Sequence, residues 1–319
     1  MKYRFISVIH YLKLDKPECR IPLQAGMITN KASLIKDILS YKSHLALGTL
    51  GVHSIDEFKD KCFYIFDGEF DSSWTVDALN NYGTQIAFAL LRQIQQVSDL
   101  LWNIRDNSIY IRDGFLFVYD MDFDDGFSFK ASLGTINTKA STAIEDTTFT
   151  KDEIMKVADD MRVLTVEDVK EGKKDYAKAD QYQYFRGVKI DRKFYAGIYI
   201  HFARSNAAIP LKILMYVTAM EALVSTTTSE LSHQVAERIA LLLTSDKDVR
   251  VEVYSKIKKA YGYRSKAAHG ESLKGTEQDM GAFLTEIDGY LRILMTFDEP
   301  YSFDEKRMND FFLSKLMAE

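Results

Sequence analysis

The stretch Tyr254–Gly270, YSKIKKAYGYRSKAAHG, decides how the C-terminal half of the chain is read. Val249, Val253, Ile257, Ala260 or Tyr261, Arg264 and Ala268 recur at three- and four-residue steps, the spacing of an amphipathic helix. Arg264 therefore falls on the apolar stripe. A guanidinium there cannot shed its proton, so it needs a partner, an interface or an anionic ligand. His269 stands at the end of the helix, with Gly270 as the stop signal. It is one of six histidines, and an imidazole titrates near neutral pH. A fixed cation followed by a titratable base is a combination that suits phosphate chemistry. The chain holds a second such match, Arg4 to His10, in a segment that reads as a strand, so the helical context is what gives Arg264 and His269 their weight.

Working outward, everything after about residue 182 reads as helix. Phe194, Ile198 and Phe202 share a face ahead of a break at Ser205-Asn206. The next helix, from Ile209, carries Pro210 in its first turn, where a missing N–H does no harm. Helices over 229–244, 247–269 and 276–297 follow, and a short tail over 303–317 has room for one more. Four to five helices with brief connections describe an up-and-down bundle. Glu221 lies on the core stripe of its helix between Val217 and Val224, and Arg238 lies on the next between Val235 and Leu242. Two readings stand: a buried ion pair between neighbouring helices, or a pair that orients Arg264 or His269. Gly262 interrupts a helix at a cost of about 1 kcal/mol relative to alanine, which predicts a kink or a close approach of another backbone.

Three segments, IPLKILMYVTAMEALVS (209–225), SELSHQVAERIALLLT (229–244) and YRSKAAHGES (263–272), resemble the HEPN family, specifically the ApeA-like branch associated with bacterial anti-phage proteins. The family places an acidic residue in the first helix, an arginine in the second and an R-S-x-x-x-H-G block after the third. Those positions here are Glu221, Arg238, Arg264, Ser265, His269 and Gly270. Ser265 is a departure, since many HEPN proteins carry Asn or Asp there. The resemblance covers under half the chain and says nothing of residues 1 to about 165.

The bulk numbers set limits. At 319 residues, with 46% hydrophobic and 13% aromatic content, the chain has ample core for two folded domains. A net charge of −5 advertises no general affinity for nucleic acid. Residues 247–275, however, hold Lys247, Arg250, Lys256, Lys258, Lys259, Arg264, Lys266 and Lys274 against only Asp248, Glu252 and Glu271. That run is either a solvated helix face or a phosphate-attracting patch. Cys19 and Cys62 are too few for a disulfide framework and fit a reduced, cytoplasmic setting. Neither has a Cys or His at zinc-ligand spacing. The N-terminal apolar run is too short for a signal peptide, and helix 209–225 contains Lys212 and Glu221 and falls short of a membrane span.

The N-terminal half reads as mixed α and β. Residues 3–14 form a strand ended by Pro17, 31–40 a short helix, and 45–53 and 61–70 strands. Ile86, Leu90, Ile94, Val97, Leu101 and Ile104 trace one stripe of a helix over 84–105. Three strands follow, 107–112, 114–121 and 127–133, parted by Asp113-Gly114 and Asp124-Asp125-Gly126. Asp120, Asp122 and Asp124 begin like a calcium loop, but Gly126 comes one residue late and Ala131 stands where a glutamate is needed, so an acidic hairpin tip is the better reading. Residues 150–164 form a helix capped by Thr150 or Asp152. The predicted fold is α+β: a mixed domain over 1–165, a charged linker over 166–181, and a HEPN-like bundle over 182–319.

The resemblance implies a metal-independent endoribonuclease without a cofactor, acting in phage defence or as a toxin. His269 would be its general acid/base, Arg264 its phosphate stabiliser and Ser265 a secondary donor. Glu221 and Arg238 would support them, and Lys258, Lys259 and Lys266 would hold RNA. The resemblance also points to a homodimer through the C-terminal bundle, with an antitoxin or a phage-derived trigger as a further partner. Residues 1–165 would be a sensor or substrate-selecting module. Two alternatives stand beside this: a non-catalytic HEPN module binding RNA, nucleotide or a partner protein, and a bundle that only dimerises while residues 1–165 carry the function.

Overall fold

A computed structural model describes residues 1–163, 165–171, 191–227 and 229–318. The protein is α+β, with sheet in its N-terminal part and helices in its C-terminal part. It divides into two compact units, Met1–Ile136 with Glu145–Tyr182, and Asn137–Ile144 with Gln183–Glu319.

In the first unit, β1 (Lys2–His10), β2 (Leu12–Leu14), β3 (Arg20–Pro22) and β4 (Met27–Thr29) precede a 3-10 turn, Ala32–Ile35, and the short helix α1 (Lys36–Leu39). Then come α2 (His44–Glu57), β5 (Cys62–Glu69), α3 (Val76–Trp102), β6 (Tyr110–Tyr119), β7 (Phe127–Ser132), β8 (Thr147–Phe149), α4 (Lys151–Ala158) and α5 (Val166–Lys170). Six strands form an antiparallel sheet in the order β3-β4-β5-β1-β6-β7, while β2 and β8 pair in parallel. The central strand β1 is apolar on both faces because both are covered. Phe5 and Ile9 join Leu90, Ile94 and Leu101 of α3 on one side. Ile6 and Val8 join Ile38, Ala46 and Ile55 of α1 and α2 on the other.

Several local expectations change. Residues 45–53 are helical, not extended, because Ser43 caps the helix by accepting from the Ala46 N–H, 3.0 Å. Asp124, from the acidic hairpin tip, accepts from the Ser43 hydroxyl and from the Leu45 N–H at 3.3 Å. Its carboxylate is thus committed to a helix start. Gly51, at φ +73, interrupts α2. Asp113-Gly114 is no turn, since β6 runs straight through it. A Cβ on Gly114 would lie 2.6 Å from the Phe5 ring, so glycine is there for packing. The strand predicted over 3–14 is broken by Tyr11 at φ 60. Helix α3 starts eight residues before the expected 84, capped by Thr75, and tolerates Gly83 because the Phe129 ring occupies the space of a side chain. The linker expected over 166–181 is corrected at its start: Val166–Lys170 is a helix with a Thr165–Asp168 capping box, and Val166 is buried in the core. Its remainder from 172 onward lies outside the described residues.

Arg4 and His10 occupy opposite ends of β1, roughly 20 Å apart at strand rise. Arg4 donates to Asp67, its cross-strand neighbour, at 2.7 Å. His10 is buried and stacks on Tyr110 with ring centroids 4.6 Å apart. Burial, with Lys61 and Arg112 nearby, pushes its pKa down to about 4. A histidine depressed below its unfolded value near 6.5 stabilises the fold above that pH, and the contribution is lost as pH falls toward 4. Both tryptophans, Trp74 and Trp102, lie in this unit, so their fluorescence reports its unfolding alone. Between pH 7 and pH 5 the unit should lose about 1–2 kcal/mol more stability in the wild type than in His10→Phe, allowing for solvent screening. Equal losses would contradict the assignment.

The second unit contains α6 (Arg192–Arg204), α7 (Ile209–Val224), α8 (Leu231–Leu243), α9 (Lys247–Ala268), α10 (Glu277–Leu294) and α11 (Glu305–Met317). Helix α7 is its axis and packs against α6, α8, α9 and α10. Being surrounded, it is apolar nearly all round, and its Lys212 is fully buried, donating to the Ala203 carbonyl at 3.0 Å. Tyr216 of α7 donates to the buried Asp288 of α10 at 2.9 Å, and Asp288 also pairs with Arg292. The segment Asn137–Ile144 belongs to this unit although the expected boundary assigned it to the first. Thr138 donates its N–H to the Arg204 carbonyl, 2.8 Å, and its hydroxyl to the Asn206 carbonyl, 3.0 Å, closing the end of α6. Ala140 is fully buried, and Ser141 lies so close to Gly281 of α10 that an added Cβ would sit 3.2 Å from its carbonyl oxygen. No described helix is long and apolar enough to cross a membrane.

Candidate active site

Helix α9 begins at Asp246, whose carboxylate accepts from the Asp248 and Val249 N–H groups. Val253, Ile257 and Ala260 are buried against α7 and α8. The stripe then leaves the core: Arg264 is half-buried and Ala268 exposed. The helix stops in a Schellman motif. Gly270, at φ +70, donates to the Ala267 carbonyl at 3.3 Å, and Glu271 donates to the Lys266 carbonyl at 2.9 Å. This end fixes His269 as the C-cap residue and leaves it exposed.

Arg264 has its partner in Glu221 of α7, with Nη2 to Oε2 at 3.8 Å. The Glu221 side chain is 15% exposed and that of Arg264 39%. The Nε atom of Arg264 is sealed inside, so the helix presents the guanidinium's outer end to the surface. Tyr261, one turn before Arg264, faces the same carboxylate. Burial, reinforced by Glu221, raises its phenol pKa far above the usual range and keeps it protonated.

The predicted ion pair between Glu221 and Arg238 is absent. Arg238 donates to the Val224 carbonyl at 2.7 Å, to Thr226 Oγ1 at 3.1 Å and to Asn309, and it lies over the Phe312 ring at 4.8 Å. The physical reason is the end of α7, whose unpaired carbonyls draw in a cation. Arg192 does the same with the Ala222 and Ser225 carbonyls, at 3.0 and 2.8 Å. Arg238 therefore holds the bundle together and stands outside the Arg264 group.

Ser265 and His269, four residues apart, share one exposed face of α9 with Lys258 and Gly262. Arg264 flanks this face, about 140° from His269 around the axis, on the side toward Glu221. Lys258 donates to Ser232 at 2.8 Å, Lys259 lies over the Tyr263 and Phe283 rings at 5.6 and 5.5 Å, and Lys266 is half-buried. Gly262 needs neither a kink nor a close neighbour: α9 is continuous through it and an added Cβ would meet nothing within 4 Å. Gly262→Ala should therefore raise the stability of the second unit by about 0.5–1 kcal/mol, read by the denaturation of its helices; a destabilised variant would mean that the position serves a close contact. His233, with its side chain 54% exposed, bonds Tyr254 at 2.7 Å and approaches Glu237 at 3.5 Å.

Sequence reasoning counted Tyr261 as apolar stripe and missed its hydroxyl; the available signal was its place one turn before Arg264. Among the described residues no three His, Cys, Asp or Glu side chains gather as a metal-ligand set. Comparison with protein-family models, curated proteins and solved structures finds no match for the chain.

Proposed function

We propose that the second unit is a metal-independent endoribonuclease of the HEPN type, working in the cytoplasm in phage defence or as a toxin. One observation carries this reading: the last turns of α9 hold a guanidinium partnered by Glu221 with its outer end at the surface, and end in an exposed histidine at a glycine-terminated C-cap. RNA brings its own nucleophile. His269 takes the proton of the 2′-hydroxyl as O2′ attacks phosphorus, and the P–O5′ bond breaks as O5′ gains a proton. Arg264 stabilises the charge that develops on the phosphoryl oxygens, and Ser265 adds a donor. Lys258, Lys259 and Lys266 hold neighbouring phosphates. One such helix end offers one imidazole, whereas the reaction uses both a base and an acid. The active form is therefore a homodimer with two such helix ends facing one cleft. The first unit is a sensor or selects the RNA, and an antitoxin or a phage-derived trigger is a further partner.

The second reading is a non-catalytic module that binds RNA, nucleotide or a partner protein through the same face. The wide angle between Arg264 and His269 around α9 favours it. Incubating the purified protein in EDTA with an RNA strand and with the same sequence as DNA separates the two. The nuclease reading expects cleaved RNA and intact DNA. Binding without cleavage of either strand leaves the binding module.

A further inference from the structure

We propose that Tyr261 is a positioning residue for Arg264, acting through Glu221; this rests on the assignment of Arg264 as phosphate stabiliser. Three polar atoms around this pair are buried with no hydrogen-bond partner: Glu221 Oε1, Tyr261 Oη and Arg264 Nε. One is an acceptor and two are donors. Buried polar groups left without partners cost stability, so chains rarely bring three together unless they serve one another. The Tyr261 hydroxyl remains protonated and faces the Glu221 carboxylate, so it is a donor aimed at an acceptor. Glu221 faces Arg264 with its other oxygen, at 3.8 Å. The carboxylate thus has the phenol as the donor available to one oxygen and addresses the guanidinium with the other.

Helix geometry supports the arrangement. Tyr261 and Arg264 are one turn apart on α9, and Glu221 comes from the central helix α7, which is buried along most of its length. A carboxylate anchored there by Tyr261 gives the guanidinium a single orientation, Nε inward and its outer nitrogens at the surface. Without the phenol, Glu221 is free to rotate, and Arg264 samples other directions. The effect on a reaction falls on transition-state stabilisation more than on substrate affinity, because the flanking lysines hold the RNA.

The experiment uses the full-length protein and Tyr261→Phe, which keeps the ring and removes only the hydroxyl. The first readout is independent of catalysis: the nitrogen-15 resonance of the Arg264 Nε–H, assigned by its loss in Arg264→Lys. In the wild type this proton should exchange slowly. In Tyr261→Phe its exchange should quicken roughly tenfold, the size expected for one buried hydrogen bond. Glu221→Gln should loosen it in the same way. The second readout is kinetic: kcat on RNA falls roughly tenfold or more while KM stays within about twofold. Unchanged Arg264 exchange in Tyr261→Phe overturns the proposal, whether or not the melting temperature drops. Quickened exchange in a protein that cleaves no RNA upholds the positioning and removes the nuclease reading instead.

Discussion

Replacing His269 by alanine should lower RNA cleavage by about 10²–10⁴-fold, the usual contribution of a positioned acid or base. Stability should be unaffected, because His269 is exposed and the cap rests on backbone bonds from Gly270 and Glu271. Arg264→Ala should cost activity on a similar scale, about 10²–10³-fold for a lost charge stabiliser. It also leaves the Glu221 carboxylate, 15% exposed, without its cation, so some loss of stability accompanies it. The measurement is a cleavage rate on one RNA, set beside a melting curve for each variant. A His269→Ala protein that cleaves at the wild-type rate would remove His269 from the chemistry and overturn its assignment as acid and base.

The second large effect concerns folding. Ala140→Asp should cost the second unit about 3 kcal/mol or more, because it places a carboxylate at a fully buried site. Ala140 lies in the strap Asn137–Ile144, whose Thr138 closes the end of α6 and whose Ser141 packs on Gly281. Hydrogen exchange should show α6 and α10 opening early, while Trp74 and Trp102 report the first unit separately. Normal protection of both helices would contradict this role. A fragment cut at 182 lacks the strap and is a poor test of what the bundle does alone.

The helices of the second unit were legible because their buried positions repeat at helical spacing, as Met280, Phe283, Ile287 and Leu294 do. The strap was not, since NTKASTAI has no apolar period and earns its place by filling a gap with Ala140. In the first unit, α3 announced itself by its stripe. Residues 45–53 misled because the cap that starts α2 draws on Asp124, far away in sequence. The two-faced burial of β1 likewise depends on helices on both sides. At the site, Arg264 and Glu221 both sat on apolar stripes, which is the signature of a paired charge. The choice between Arg238 and Arg264 as the partner of Glu221 needed the packing of three helices. Arg238 went instead to the carbonyls at the end of α7, an attraction that spacing does not encode.

The most direct test of the central claim is the chemistry of the cut ends. An RNA strand incubated with the wild-type protein in EDTA should yield a 2′,3′-cyclic phosphate on one fragment and a 5′-hydroxyl on the other, and a single 2′-deoxy substitution at the cleaved position should block that cut. A 5′-phosphate product, or cleavage that persists past the deoxy substitution, would show that the 2′-oxygen is not the nucleophile and would contradict the roles given to His269 and Arg264.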